Sequence, residues 1–205
     1  MDLIVAVSRA LASRPRLHLL QALQSRPGST VNELAETVGL TPSITSYELK
    51  RLGNFHFVQA IPNGRFVHYQ PAKTCHLSNI FLRETLELLH RTLGGLNSTP
   101  CEVWNSAAQK EQDEKLMKMF TTYTHLRRLL LLRQLAVKGA RPAADLAAHI
   151  NMSAAATSRH LVKLQRRGVV CAEGPPPHVW QLLTPAEPAL RRNMLNIVLR
   201  ALKAL

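Results

Sequence analysis

With 205 residues, 46% of them hydrophobic and 19% charged, the chain has the apolar side chains for a sizeable core, which excludes a disordered polypeptide and allows one or two domains. Its formal charge of +13 at pH 7 attracts polyanions, nucleic acid first and an anionic membrane surface second. Three widely separated cysteines, Cys75, Cys101 and Cys171, do not resemble a disulfide framework or a C-x-x-C metal or redox motif, and a reducing cytoplasm is the simplest home for them.

The charge is uneven. Residues 1–100 hold ten Lys and Arg against six Asp and Glu, and residues 116–205 hold fourteen against three. Residues 101–115 reverse the balance with two basic and four acidic side chains, among them Glu111, Asp113 and Glu114, which predicts a solvated connection. The expected organisation is a first domain over residues 1–93, a linker over 94–115 and a second domain over 116–205.

In chain order, MDLIVAVSRALASRP opens with a five-residue apolar run behind Asp2, too short and wrongly flanked for a secretory signal. No stretch approaches the roughly 20 apolar residues that span a bilayer. RPRLHLLQALQSRPG places Leu17, Leu20 and Leu23 on one face of a helix that stops at Pro27-Gly28. TVNELAETVGL predicts a short helix with Leu34, Ala35 and Val38 inward and Gly39 just after it, where a positive φ is wanted. A third helix begins at Thr41, whose hydroxyl caps it, with Pro42 at the first helical position. Thr45, Leu49 and Leu52 take the i, i+4, i+7 spacing of a core face, leaving Ser43, Ser46, Tyr47 and Lys50 outward.

FVQAIPNGRFVHYQP then predicts two strands turning at Asn63-Gly64. LSNIFLRETLELLHRTL, Leu77 to Leu93, predicts a long helix. Leu82, Leu86, Leu89 and Leu93 form one stripe and Leu77, Phe81 and Leu88 a second, too apolar for a single contact.

Sliding the chain on itself by 112 residues aligns Arg16–Ala60 with Arg128–Ala172 without a gap, and thirteen of the forty-five positions are identical. Most of these are apolar, so the copies share a buried skeleton more than a surface. In the second copy Asn151 replaces Gly39, Ser153 is the helix cap, and GPPPH replaces the tight turn with three prolines. ALRRNMLNIVLRALKAL supplies a second helix with two apolar stripes, one of them running from Leu190 through Met194, Ile197, Val198 and Ala201 to Leu205. The fold class expected is mainly α with small β-hairpin wings. Two tandem winged helix-turn-helix domains would pack as a pseudo-twofold dimer through the long helices.

LASRPRLHLLQAL and MSAAATSRHLVKLQRRGVV resemble the ArsR family of bacterial winged-helix repressors. ALASRPRL is similar to the family's motif entering the second helix, and Ser158-Arg159-His160-Leu161 with Leu164 and Gly168 resembles its recognition-helix signature. The resemblance covers most of both halves. Family members are usually homodimers with one such domain per chain, so the resemblance implies a fused, single-chain version of that dimer. The first copy departs at Tyr47-Glu48 and has His56 where the family has glycine.

The family's usual input is a metal. Yet VNELAETVG and AADLAAHIN contain no cysteine, so the thiolate site is absent. Glu84, Glu87 and His90, with His76 nearby, are read as plain surface residues, and nothing marks Cys75 or Cys101 as a low-pKa thiol.

A recognition helix supplies donors to base edges while its flanks neutralise phosphates. In the second copy the candidates are Ser153, Thr157, Ser158, Arg159, His160, Lys163, Arg166 and Arg167, with Arg159 the best placed to read guanine. In the first they are Thr41, Ser43, Ser46, Tyr47, Lys50 and Arg51, whereas Glu48 repels the backbone unless it pairs with Arg51 or accepts from a cytosine amine. Arg65 tips the first wing as a minor-groove or phosphate contact, and the second wing offers only His178.

No Gly-rich phosphate loop, G-x-S-x-G elbow, H-E-x-x-H or paired-cysteine constellation appears, so no catalytic residue, metal or cofactor is expected. The expected partner is double-stranded DNA rather than a membrane, with further pairing to a second chain left open. The alternative is a protein-docking module in which Tyr47, Glu48 and the apolar helices meet a partner. A fused pair need not read a palindrome, which predicts an asymmetric site with half-sites about one helical turn, roughly 34 Å, apart.

Overall fold

The computed structural model describes residues 1–73, 77–94, 106–175, 177–183 and 189–204; Cys75, His76, Cys101, Pro176 and Leu205 lie outside them. Two compact units result. One is Arg9–Met117, and the other joins Met1–Ser8 to Lys118–Leu205. Among the described residues no helix is long and apolar enough to cross a membrane.

The apolar run near residue 1 is helix α1, Asp2–Leu11, with Asp2 in its first turn and Arg9 in its last, each matched to the helix dipole. Ile4, Val5 and Val7 on it are buried. The first repeat then runs α2 (Arg14–Ser25), β1 (Ser29–Thr30), α3 (Val31–Val38), α4 (Pro42–Gly53), β2 (Val58–Asn63) and β3 (Phe66–Pro71), and α5 (Ile80–Leu93) follows. The second runs α6 (Ala107–Thr122), α7 (Leu126–Lys138), β4 (Arg141–Pro142), α8 (Ala143–His149), α9 (Ala154–Arg166), β5 (Val170–Glu173), β6 (Val179–Leu182) and α10 (Ala189–Lys203). Both repeats are winged helix-turn-helix domains in tandem, mainly helical with small antiparallel sheets.

Local chemistry explains the boundaries. Thr41 and Ser153 cap α4 and α9 by accepting from the Ile44 and Ala156 N–H groups at 3.3 Å each. Gly39 and Asn151 take the left-handed conformation, φ 69° and 51°, that ends the preceding helices. Asn79 caps α5 through the Leu82 N–H, so that helix starts at Ile80 rather than Leu77. Both α5 stripes are buried, and α5 packs on α2 as α10 packs on α7.

Three features differ from expectation. Each wing is a three-stranded sheet, ordered β1-β3-β2 and β4-β6-β5, because a two-residue strand ahead of α3 or α8 pairs with the returning wing strand. Such strands are too short to leave an alternating pattern. The first wing turns one residue later than Asn63-Gly64: Asn63 pairs with Phe66, Gly64 and Arg65 form the loop, and only Gly64 has positive φ, 59°. That places glycine at the first central position of a two-residue hairpin, where a type II′ turn wants it.

The acidic stretch is the third. Its residues from Ala107 onward are the first turns of α6, and Asp113 is 2% exposed rather than solvated. Asp113 accepts from His18 Nε2 at 2.7 Å and from Gln109 Nε2 at 2.9 Å, and Gln109 also donates to Gln21 at 3.3 Å, tying α6 to α2. A buried carboxylate is tolerable because both its oxygens are hydrogen-bonded.

His56 follows α4 at φ 55°, where the second repeat has Gly168 at φ 68°. A side chain in this region strains against its own backbone by about 1 kcal/mol. His56→Gly is therefore expected to stabilise the first unit by up to about 1 kcal/mol in thermal melts, with Gly168→His giving the opposite sign.

Candidate nucleic-acid interface

Helix α4 is anchored by Thr45, Leu49 and Leu52, all at 0% exposure, which fixes which side faces outward. Thr41, Ser43, Ser46, Tyr47, Lys50 and Arg51 are exposed on it. The Arg51 guanidinium lies 5.6 Å from the Tyr47 ring centroid, a cation–π spacing that holds both side chains on the surface. Glu48 does not pair with Arg51. It turns inward and accepts from Arg16 Nη1 at 3.0 Å, Arg16 itself being only 6% exposed and also donating to the Arg9 carbonyl at 3.3 Å. The carboxylate thus neutralises a buried cation instead of facing a phosphate.

Helix α9 is anchored the same way by Thr157, Leu161 and Leu164. Thr157 is the counterpart of Thr45 and fully buried, so among the candidates it faces the core rather than the outside. Ser153, Ser158, Arg159, Lys163 and Arg166 are exposed. His160 is half-buried, its ring 6.4 Å from that of His125, and Arg167 closes the helix while donating to the Lys118 carbonyl at 3.3 Å. The outward face of α9 therefore carries three cations, Arg159, Lys163 and Arg166, whereas that of α4 carries two, Lys50 and Arg51, among polar and aromatic side chains.

The wings differ as well. Arg65 stands exposed at the first tip beside Phe66, which is 63% exposed. At the second, His178 Nδ1 donates to the Gly174 carbonyl at 2.7 Å and the Gln181 amide donates to Glu173, so its polar side chains are spent within the hairpin.

Arg127 was not among the sequence candidates. It stands exposed at the start of α7 and borders, with Ser158, Arg159, His160, Lys163 and Arg166, a cleft of about 500 Å3 beside α9. Only tertiary packing brings it there, so no local pattern announces it. Among the described residues no three His, Cys, Asp or Glu side chains gather as metal ligands.

Three helices with the third presented on the surface, followed by a hairpin, define the winged helix-turn-helix class of DNA readers. The family model for bacterial regulatory proteins of the arsR family matches residues 14–60 and again residues 125–171. Each match falls on one repeat, and the chain carries two arsR-like winged helix-turn-helix domains in tandem. No curated protein and no solved structure matches the chain. Domains of this family belong to DNA-binding transcriptional regulators, and that is the class in which the chain is placed.

Proposed function

We propose that the chain is a cytoplasmic, sequence-specific repressor whose two repeats act as an intramolecular pair and read double-stranded DNA with unequal heads, α9 the stronger and α4 the weaker. The observation that carries this reading is the contrast between the two outward faces: Arg159, Lys163 and Arg166 stand exposed on α9, with Arg159 in mid-helix where α4 has Tyr47, and the exposed positive charge of α4 is Lys50 and Arg51. In this reading Arg159 makes a bidentate contact to guanine and Lys163 and Arg166 meet phosphates. Arg65 reaches the minor groove or a phosphate. The preferred site is asymmetric, with half-sites about one helical turn apart.

Binding to random duplex across a salt series tests the regulator reading, because neutralising Z phosphates gives a log–log slope of about −0.9Z. Arg159→Ala is expected to lower the preference for the selected site by about 1–3 kcal/mol, while Lys163→Ala weakens all duplexes alike. Equal, uniform effects of the two substitutions would remove Arg159 from base reading. The exposure of Ile44 and Tyr47 on α4, 47% and 58%, favours a second reading for the first repeat alone, as a docking face for a protein partner. A salt slope near zero for the whole chain would extend that reading to both repeats.

A further inference from the structure

The two repeats hold the same buried arginine in opposite surroundings. Arg16 has Glu48 at 3.0 Å. Its counterpart Arg128, in α7, is 5% exposed, and the position equivalent to Glu48 is His160. Arg128 Nη2 donates to Thr124 Oγ1 at 3.1 Å, but its buried Nε has no acceptor, and among the described residues no carboxylate lies within ion-pair reach of it. Burial, then the neighbouring charge of Arg167, draws its pKa down.

His160 Nδ1 is likewise buried without a partner. Its imidazole is held below the ordinary histidine range by burial first, then by Arg128, His125, Lys163 and Arg127. Of these groups Arg127, His160 and Lys163 line the cleft together with Ser158, Arg159 and Arg166, while the His125 ring lies 6.4 Å from that of His160 and Arg128 acts on it as a nearby charge. Like charges collected around a desolvated guanidinium are unfavourable until an anion joins them.

We propose that this cleft between the start of α7 and α9 is a phosphate site, in which an oxyanion supplies from outside the negative charge that Glu48 supplies from within the first repeat. Arg127 and Lys163 flank the anion, and His160, once protonated, donates to it. Two sources share this chemistry, a DNA backbone phosphate and free phosphate. The backbone is favoured because the cleft runs along the outward face of α9, and to that extent the inference rests on the regulator reading. It adds Arg127 to the contact surface.

The test follows the His160 side-chain resonance of the full chain through a pH titration, alone, with inorganic phosphate, and with a 20-base-pair duplex. Salt-series binding of Arg127→Gln and His160→Glu runs beside it. An occupied site raises the His160 pKa. His160→Glu brings its own carboxylate to Arg128, so it is expected to keep or raise the melting temperature yet lower the salt slope by about one phosphate and weaken duplex binding roughly tenfold at 0.1 M salt. Arg127→Gln, a surface change, is expected to lower the slope alike.

A His160 response to duplex assigns the anion to the DNA backbone. A response to inorganic phosphate alone, with unaltered slopes, assigns the site to a small free anion. If neither ligand moves His160 and both variants keep the wild-type slope while the wild type still binds duplex, the site falls and the regulator reading stands. If the wild type itself shows no slope, the regulator reading falls and the phosphate titration alone decides the site.

Discussion

Glu48→Ala is expected to destabilise the Arg9–Met117 unit by about 3 kcal/mol, the range for removing one partner of a buried ion pair. At roughly 4–8 °C per kcal/mol for a domain of this size, its melting temperature falls by more than about 10 °C. Arg16, 6% exposed, has Glu48 as the acceptor for its Nη1 and no acceptor for its Nε. Burial already lowers its pKa, and the Glu48 carboxylate opposes that shift. Without Glu48 a desolvated guanidinium remains beside Arg51, held only by the Arg9 carbonyl at 3.3 Å. Glu48→Gln keeps an acceptor and loses the charge, so it falls between. A melt of Glu48→Ala within about 0.5 kcal/mol of wild type, the ordinary scatter of surface substitutions, would show that the pair contributes little.

Deleting Met1–Ser8 is expected to have the larger effect, and on the distant part of the sequence. Those residues belong to the same compact unit as Lys118–Leu205, and they place Ile4 at 3%, Val5 at 8% and Val7 at 0% exposure. Each such side chain contributes about 1.5–3 kcal/mol, less some allowance for compactness of the unfolded chain. Losing three removes about 5 kcal/mol, which equals the whole stability of many small domains. Amide exchange is the measurement: protection in α7, α9 and α10 is expected to collapse, while α2, α4 and α5 keep theirs. Unchanged protection in α7 and α10 would show that the second unit stands without the first eight residues.

The helices of each repeat were legible because their apolar spacing, their Thr41 and Ser153 caps and the residues at positions 39 and 151 all agree, and agreement across levels is what a sequence pattern can report. Helix α6 was not. Its inward face carries Gln109 and Asp113, and a polar residue satisfied by a partner nearly ninety positions away looks identical in sequence to a solvated one. The same blindness hid the Arg16–Glu48 pair, whose members are 32 residues apart. At the interface, exposure of Ser43, Tyr47, Arg159 and Lys163 follows from helical periodicity, whereas Thr157, expected among the DNA contacts, is buried at the position equivalent to Thr45, as the spacing they share requires. Arg127 enters the site through packing of α7 against α9, which no single-helix pattern encodes.

The grouping of Met1–Ser8 with Lys118–Leu205 also sets an order of events during synthesis. Arg9–Met117 can close soon after it leaves the ribosome, but residues 1–8 must wait for Lys118–Leu205, whose synthesis begins more than a hundred residues later. At about 5–20 residues per second that wait is on the order of ten seconds, with Ile4, Val5 and Val7 uncovered throughout. A chaperone that captures short apolar segments has an opportunity on this nascent chain at Ile4, Val5 and Val7 until their partners arrive.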